Sequence, residues 1–203
     1  MHDTQALMKH DRERWNNRYG EVGLYLGPDP SRFLAENIAL IKDLATGKKA
    51  LDIACGEGRN SIFLAHHGFA VTGVDISEEG LAKAEKWANS EGLAVSFKRV
   101  DMVTHEFIET YDLIINFNFL LRNLIPRMID ALNPGGLIVF DTILETPTLK
   151  GNHNRSFLLQ PGELRDIFAR FPGEIFRYEE LSLGPMPTAR LIFRKKLPDG
   201  QTR

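Results

Sequence analysis

Short apolar runs alternate with helical patterns along the chain from Lys48 onward. Strands that alternate with helices in this way indicate βαβ units around a mostly parallel sheet. Two further apolar runs near the C-terminus have no helical segment between them, which predicts an antiparallel hairpin. The predicted strands span about 50–54, 69–74, 94–100, 111–115, 137–140, 174–183 and 190–197. We therefore predict an α/β fold with a doubly wound, Rossmann-like, seven-stranded, mostly parallel sheet that ends in a C-terminal antiparallel hairpin.

Start and stop signals accompany the predicted helices. Asp29 is a candidate N-cap for the helix that follows it, with Pro30 at the first helical position. Ser77 is suited to cap a later helix, whose first turn contains two glutamates, and Gly68 to end the helix before it. The predicted helices span about 11–19, 30–46, 59–67, 78–91, 124–132 and 161–171.

Length and composition indicate a single domain. The 203 residues, 43% of them hydrophobic, suffice for one sizeable core and are few for two. Residues 1–30 are more polar and richer in Gly and Pro than the rest. We interpret them as an N-terminal lid or appendage on an α/β core formed by residues 31–203.

Charge and composition argue against several classes of protein. A net charge of -2 with interspersed signs leaves no basic face for nucleic acid. No signal segment opens the chain and no apolar run approaches the roughly 20 residues that span a bilayer, so we expect a cytoplasmic protein with no membrane partner. The single cysteine, Cys55, is compatible with a reducing compartment. His66 and His67 point to different sides of a helix, and no second cluster has metal-ligand spacing, so no metal is expected. A monomer and a homodimer remain equally open.

Polar residues and glycines follow four of the predicted strands at the same relative place. Asp52 and the turn 54–58 end the first strand, Asp75 the second and Asp101 the third, and the segment 116–119 follows the fourth. The carboxyl ends of the strands in an open α/β sheet meet at one edge, where ligands bind. We therefore expect these four segments to form one site.

The spacing within that site indicates a nucleoside ligand. Gly56 and Gly58 allow the positive φ angles and close backbone approach that a tight strand-to-helix turn needs. Asp75 lies about 20 residues further on, where a carboxylate of a βαβ unit can accept hydrogen bonds from ribose hydroxyls; alternatively it caps the helix that begins near Ser77. Ser61 stands where a dinucleotide-binding turn has a third small residue, which disfavours a pyrophosphate ligand.

The segment Ala50-Leu51-Asp52-Ile53-Ala54-Cys55-Gly56-Glu57-Gly58, followed by acidic ends on the next two strands, resembles a class I S-adenosylmethionine-dependent methyltransferase over about residues 48–145. The resemblance implies that the glycine turn approaches the methionine part of S-adenosylmethionine, that Asp75 holds its ribose, and that Asp101 and Met102 flank its adenine. Ala54 replaces the first glycine of the usual pattern. The implied cofactor-binding residues are Asp52, Ala54, Cys55, Gly56, Gly58, Arg59, Asn60, Asp75, Ile76, Asp101, Met102, Asn116 and Phe117.

Three further segments resemble the tellurite-resistance (TehB-like) methyltransferases: residues 15–19, 58–61 and 160–165. The resemblance implies a small, soft methyl acceptor such as a thiol or an oxyanion of selenium or tellurium. The rival hypotheses are a non-catalytic S-adenosylmethionine-binding regulatory protein and, less favoured, an NAD(P)-dependent oxidoreductase.

Candidates for contact with a small-molecule acceptor lie in three places: Trp15, Arg18 and Tyr19 in the N-terminal segment, Phe119 after the fourth strand, and His153 and Arg155 in the loop 151–155. Each has a structural alternative. The N-terminal residues would anchor their helix to the core, and Phe119 would pack in the core. His153 would be a solvated loop histidine, and Arg155 would form a surface salt bridge. Asp101 has a structural alternative as well, a plain surface carboxylate. No residue stands out as a general base, so the catalytic residue is left unknown.

Overall fold

A computed structural model describes residues 2–147, 149, 151, 153–183 and 186–197, and only the backbone over 2–10. The helices are α1 His2–Tyr19, α2 Arg32–Leu44, α3 Arg59–His66, α4 Glu78–Ser90, α5 Leu124–Asp130 and α6 Glu163–Phe168. The strands are β1 Lys49–Ile53, β2 Ala70–Asp75, β3 Ser96–Arg99, β4 Tyr111–Phe117, β5 Leu132–Ile143, β6 Gly173–Leu181 and β7 Thr188–Lys195. A short 3₁₀ helix spans Arg155–Phe157.

The described strands form one seven-stranded sheet in the order β3-β2-β1-β4-β5-β7-β6. The pairs from β3 to β5 are parallel, whereas β7 is antiparallel to both β5 and β6. This confirms the predicted mixed α/β sheet with its C-terminal hairpin. The strand order reverses between β1 and β4, which is where an open α/β sheet binds ligands. Gly184 and Pro185 of the predicted hairpin turn lie outside the described residues.

The two faces of the sheet carry separate cores. Leu113, Ile115 and Val139 face α2 and α3 on one side, and Ile114 and Ile138 face α5 and α6 on the other. Because both faces are covered, the central strands read as continuous apolar runs. Residues 100–110 connect β3 to β4 without a helix.

Several predicted boundaries were wrong. The backbone of α1 is helical from His2 onward. The N-cap of α2 is Ser31, not Asp29, so Pro30 precedes the helix instead of opening it. Asn116 and Phe117 belong to β4 and do not follow it, because they pair with Phe140 and Asp141 of β5. The predicted caps at Ser77, which accepts from the Gly80 N–H, and at Gly68, with φ +83°, are confirmed.

The strand β5 begins earlier than its apolar run. Leu132 already pairs with Tyr111, and the register then shifts so that Leu137 pairs with Leu113. The turn-forming segment 133–136, which the sequence placed before the strand, is therefore an irregularity within it. Among the described residues, no helix has the length and apolar character needed to cross a membrane.

Candidate active site

The turn after β1 places its backbone in left-handed conformations. Ala54 and Gly56 both have φ +54°, and Gly58 has φ +82°. Residues that carry a Cβ atom are strained at such φ angles. A Cβ at Gly56 would lie 2.6 Å from the Tyr19 hydroxyl, and one at Gly58 would lie 2.8 Å from the Ala84 Cβ. Both glycines are therefore required by the backbone angle and by close neighbours.

Asp75 joins this turn to the start of α4. Its Oδ2 accepts a hydrogen bond from the Gly56 N–H at 2.8 Å, and its Oδ1 accepts one from the Ser77 N–H at 2.8 Å. Burial raises the pKa of the Asp75 carboxyl, whereas the N–H donors around it lower that pKa. These donors are the backbone N–H groups of Ser77, Gly56 and Ile76, so about one of the four acceptor sites of an ionised carboxylate is left for a ligand.

Asp52 lies beneath the turn and is 1% exposed. It accepts a hydrogen bond from the Ser61 hydroxyl at 2.6 Å. Burial raises the pKa of Asp52 to about 7, the Ser61 hydrogen bond opposes this rise, and the charge of Asp75 adds to it. Burial also raises the pKa of Cys55 well above its usual value, so the thiol stays protonated and is a poor nucleophile.

The end of β3 reaches the same edge of the sheet. The Val100 N–H donates to the Asp75 carbonyl at 2.8 Å, so Asp101 follows directly beside the end of β2. The Asp101 carboxylate accepts from the Val103 N–H at 2.9 Å, which is a contact within its own loop. Met102 is buried in the core.

The end of β4 completes the edge. Asn116 is buried and donates from Nδ2 to the Phe119 carbonyl at 2.6 Å, which fixes the chain as it leaves the strand. Phe117 is buried in the core on the α2 side of the sheet. The Phe119 side chain packs against the core on the opposite side of the sheet, which matches the alternative of core packing.

The N-terminal segment is fastened across the glycine turn. Lys83 of α4 donates from Nζ to the carbonyls of Glu21 at 2.7 Å and Gly23 at 2.6 Å, and it forms an ion pair with Glu57 at 2.9 Å. Glu57 also accepts a hydrogen bond from the Tyr25 N–H at 2.6 Å. Because Glu57 belongs to the turn itself, these contacts bind the segment to the candidate site.

Further contacts fasten both ends of the same segment. The Asn16 side chain accepts hydrogen bonds from the first turn of α4. The Ser31 N–H donates to Asn60 Oδ1 at 2.8 Å, and Arg59 donates to the Asp29 carbonyl at 3.1 Å. Arg59 and Asn60, two of the predicted cofactor ligands, therefore hold Asp29 of the N-terminal segment and Ser31, the first residue after it.

Aromatic residues of that segment stack over the turn. Tyr19 is buried against Gly56, Trp15 stacks on Tyr19 with ring centroids 5.3 Å apart, and Tyr25 meets Tyr19 edge to face at 6.2 Å. The Arg18 guanidinium lies over the rings of both Trp15 and Tyr25. All three predicted N-terminal residues therefore lie in one cluster at the site.

Of the predicted residues in the loop 151–155, Arg155 lies at the surface. The Arg155 guanidinium forms an ion pair with Glu145 at 2.8 Å and its side chain is 85% exposed, which matches the surface salt bridge. His153 lies close to the backbone of Gly151. Asn152 of this loop lies outside the described residues. Among the described residues, no group of three or more His, Cys, Asp or Glu could hold a metal ion.

Four residues of the site were not among the individually predicted site residues: Glu57, which lies within the predicted turn 54–58, and Lys83, Tyr25 and Gly80. Gly80 lies against both Tyr19 and the Gly56 backbone. A glycine within the first turn of a helix is unfavourable by about 1 kcal/mol and therefore a usable signal of close packing. Lys83 gave no signal, because its role depends on a segment some sixty residues earlier.

An open α/β sheet with a glycine turn and acidic residues at its strand ends is the architecture of class I S-adenosylmethionine-dependent methyltransferases. The family model described as "Tellurite resistance protein TehB" matches residues 31–186. The chain therefore belongs to the TehB family of methyltransferases.

Individual relatives agree with this assignment. A Haemophilus influenzae protein named "Probable S-adenosyl-L-methionine-dependent methyltransferase TehB" is 30% identical over 139 residues, which cover 65% of this chain and 48% of that protein. The crystal structure of TehB from Haemophilus influenzae superimposes with a TM-score of 0.68 at 26% identity, covering 80% of this chain and 62% of that one. A "Ubiquinone biosynthesis O-methyltransferase" of Nitrosococcus oceani is 29% identical and covers 80% of this chain and 78% of that protein. The chain spans less than half the length of the first curated relatives that it matches.

Proposed function

We propose that this protein transfers a methyl group from S-adenosylmethionine to a small-molecule acceptor. The observation that carries the proposal is the glycine turn of β1, bound to the Asp75 carboxylate and covered by Tyr19. S-adenosylmethionine supplies an activated methyl group on a positively charged sulfur. The glycine turn and the acidic residues at the strand ends would bind and orient this cofactor.

Each part of the edge suits one part of the cofactor. The backbone at Gly56 and Gly58 allows close approach of the methionine part. Asp75 keeps about one acceptor site for a ribose hydroxyl. Asp101 and Met102 follow the neighbouring strand and suit the adenine.

Residues 1–30 act in this proposal as a lid. Their contacts with Glu57 and Lys83 hold aromatic rings over the turn, which would exclude water from the transferring methyl group. Alignment of the acceptor, methyl group and sulfur can contribute about 7–11 kcal/mol at best. Opening of the segment would admit and release the ligands.

The acceptor is a small, soft nucleophile in this proposal: a thiol, or an oxyanion of selenium or tellurium. The name of the matched family supports this class. The name of the ubiquinone O-methyltransferase relative supports a small hydroxyl compound as the alternative. The buried, protonated Cys55 is compatible with a reducing, cytoplasmic location.

Ligand binding and turnover test the proposal separately. S-adenosylhomocysteine should raise the melting temperature, while NAD should not; equal protection by both would contradict the cofactor assignment. With S-adenosylmethionine, the protein should form S-adenosylhomocysteine in the presence of at least one member of a panel of thiols, selenite, tellurite and phenols. Cofactor binding without transfer to any of them would favour the non-catalytic regulatory protein.

A further inference from the structure

Asp141 lies near the carboxyl end of β5, in a row of paired residues that crosses the sheet. It is directly opposite Phe117 of β4 and Arg190 of β7, and Arg190 is in turn opposite Glu179 of β6. Residues directly opposite one another project to the same face of a sheet, so Asp141 shares the α2 face with Phe117. Neighbouring strands are about 4.8 Å apart, so Asp141 lies about 10 Å from the end of β1.

One carboxylate oxygen of Asp141 is left free in this row. Arg190 donates from Nε and Nη2 to the same oxygen of Glu179, at 2.9 and 2.8 Å, and lies over the Phe33 ring at 4.9 Å. Its guanidinium is thus directed to Glu179. Thr188 offers Asp141 a side-chain hydrogen bond. Asp141 Oδ1 is nevertheless buried without a hydrogen-bond partner among the residues described.

A buried, unpaired carboxylate oxygen is costly, and such an atom in a folded protein calls for an explanation. Asp141 is surrounded by charged groups from three other elements: Arg59 on α3, Arg190 on β7 and Glu179 on β6. Arg59 begins the helix that follows the glycine turn, which connects Asp141 to the candidate cofactor site. Asp141 is therefore within electrostatic range of the first residue after the glycine turn.

We propose that Asp141 is the catalytic residue that removes the proton of a neutral acceptor, a thiol or a phenol. This inference rests on the proposed methyl transfer. The acceptor S–H or O–H bond breaks and its proton moves to Asp141 Oδ1. The freed electron pair forms the new bond to the methyl carbon as the bond from that carbon to the cofactor sulfur breaks, leaving neutral S-adenosylhomocysteine. The Asp141 proton then passes to water.

The charge environment of Asp141 suits this role. Burial raises the pKa of its carboxyl to about 6, the charge of Glu179 adds to the rise, and Arg190, Arg59 and the Thr188 hydrogen bond oppose it. A general base works best with a pKa near the operating pH. Asp141 would be mostly ionised at neutral pH and yet more basic than an ordinary aspartate.

Two sulfur nucleophiles that differ in protonation test the proposal. 2-Mercaptoethanol is mainly protonated at neutral pH, whereas 4-nitrothiophenol is mainly ionised. Asp141→Asn should lower kcat/KM for 2-mercaptoethanol by about 10²–10³-fold, because general-base catalysis contributes that much. It should lower kcat/KM for 4-nitrothiophenol less than about threefold, because no proton has to be removed.

Asp112→Asn is the matched control for loss of a carboxylate. Asp112 lies at the opposite edge of the sheet, where it accepts from the Lys49 N–H and from Asn133, so its substitution should leave the ratio of the two rates unchanged. Equal losses for both thiols in Asp141→Asn, or no loss for either, would overturn the role of Asp141. Transfer by the wild type to 4-nitrothiophenol alone would overturn it as well and leave the methyl transfer intact. Transfer to neither thiol, nor to any other member of the panel, would reject both.

A second variant keeps the test independent of the folding of Asp141→Asn. Thr188→Val removes a donor that stabilises the ionised carboxylate, so the acidic limb of the kcat/KM profile for 2-mercaptoethanol should move up by about 0.5–1 pH unit. The profile for 4-nitrothiophenol should not move. An unchanged acidic limb with 2-mercaptoethanol would contradict the assignment of that limb to Asp141.

Discussion

A side chain at position 56 meets two separate obstacles, the positive φ of the backbone and the Tyr19 hydroxyl. Gly56→Ala should therefore destabilise the fold more than Gly68→Ala, since Gly68 also has a positive φ but nothing within 4 Å of an added Cβ. The shared backbone strain is about 1–2 kcal/mol. Urea unfolding measures both variants, and Tyr19→Phe should restore part of the difference. Equal losses of stability would show that Tyr19 does not press on the turn.

Substitution can separate the structural contacts of Asp75 from its proposed role as the ribose acceptor. Asp75→Ala removes both the proposed ribose acceptor and the contacts with Gly56 and Ser77, so it should raise the dissociation constant of S-adenosylhomocysteine by about 10–100-fold, the worth of hydrogen bonds to a charged group. Ser77→Ala removes the cap of α4 and should cost about 1 kcal/mol of stability with little effect on binding. Calorimetric titration measures the dissociation constant of S-adenosylhomocysteine for both variants. The same dissociation constant in both would reduce Asp75 to a cap.

At the scale of elements, the N-terminal segment depends on one side chain of α4. Lys83→Met removes two hydrogen bonds to backbone carbonyls and the ion pair with Glu57. We expect amide exchange over residues 20–30 to become faster and S-adenosylhomocysteine to dissociate faster, by several-fold. Lys86→Met, at an exposed position of the same helix, is the matched control. Unchanged exchange in Lys83→Met would show that the segment is held by its other contacts.

The elements that the sequence predicted well are those with strong local signals. The apolar runs located all seven strands, and Ser77 and Gly68 located helix ends, because caps act within a few residues. The boundaries of β4 and β5 depend on cross-strand pairing instead. Asn116 extends β4 only because β5 lies beside it, and no local pattern encodes that neighbour.

The same distinction applies to the candidate site. Gly56, Gly58 and Asp75 form a compact motif, so their proximity was predictable from spacing. Lys83 and Asp141 become site residues only through contacts made across the fold, so no spacing indicated them. Arg155 was chosen for its charge, and charge alone does not distinguish a ligand from the surface ion pair that it forms with Glu145.

For the whole molecule, the sheet concentrates acidic groups where its strand order reverses. Asp52, Asp75 and Asp141 lie on β1, β2 and β5, and burial raises the pKa of each carboxyl. Burying these carboxylates in their ionised form lowers the free energy of unfolding of the ligand-free protein. A functional site tolerates such a cost, and the stability of the remaining fold must offset it.

This destabilisation should appear in the pH dependence of the free energy of unfolding. Asp52 in the unfolded chain loses its proton near its ordinary pKa of 3.8, whereas in the folded protein it holds the proton up to about 7. Between these values the folded state binds more protons, so stability falls as the pH rises. The ligand-free wild type should lose about 2–4 kcal/mol from Asp52 between pH 4 and pH 7, at about 1.4 kcal/mol per unit. Urea unfolding at pH 5 and pH 7.5 should show a smaller decrease for Asp52→Asn, while Asp130→Asn, at an exposed position of α5, should match the wild type. A decrease that is identical in Asp52→Asn would mean that Asp52 is already ionised in the folded protein at pH 5.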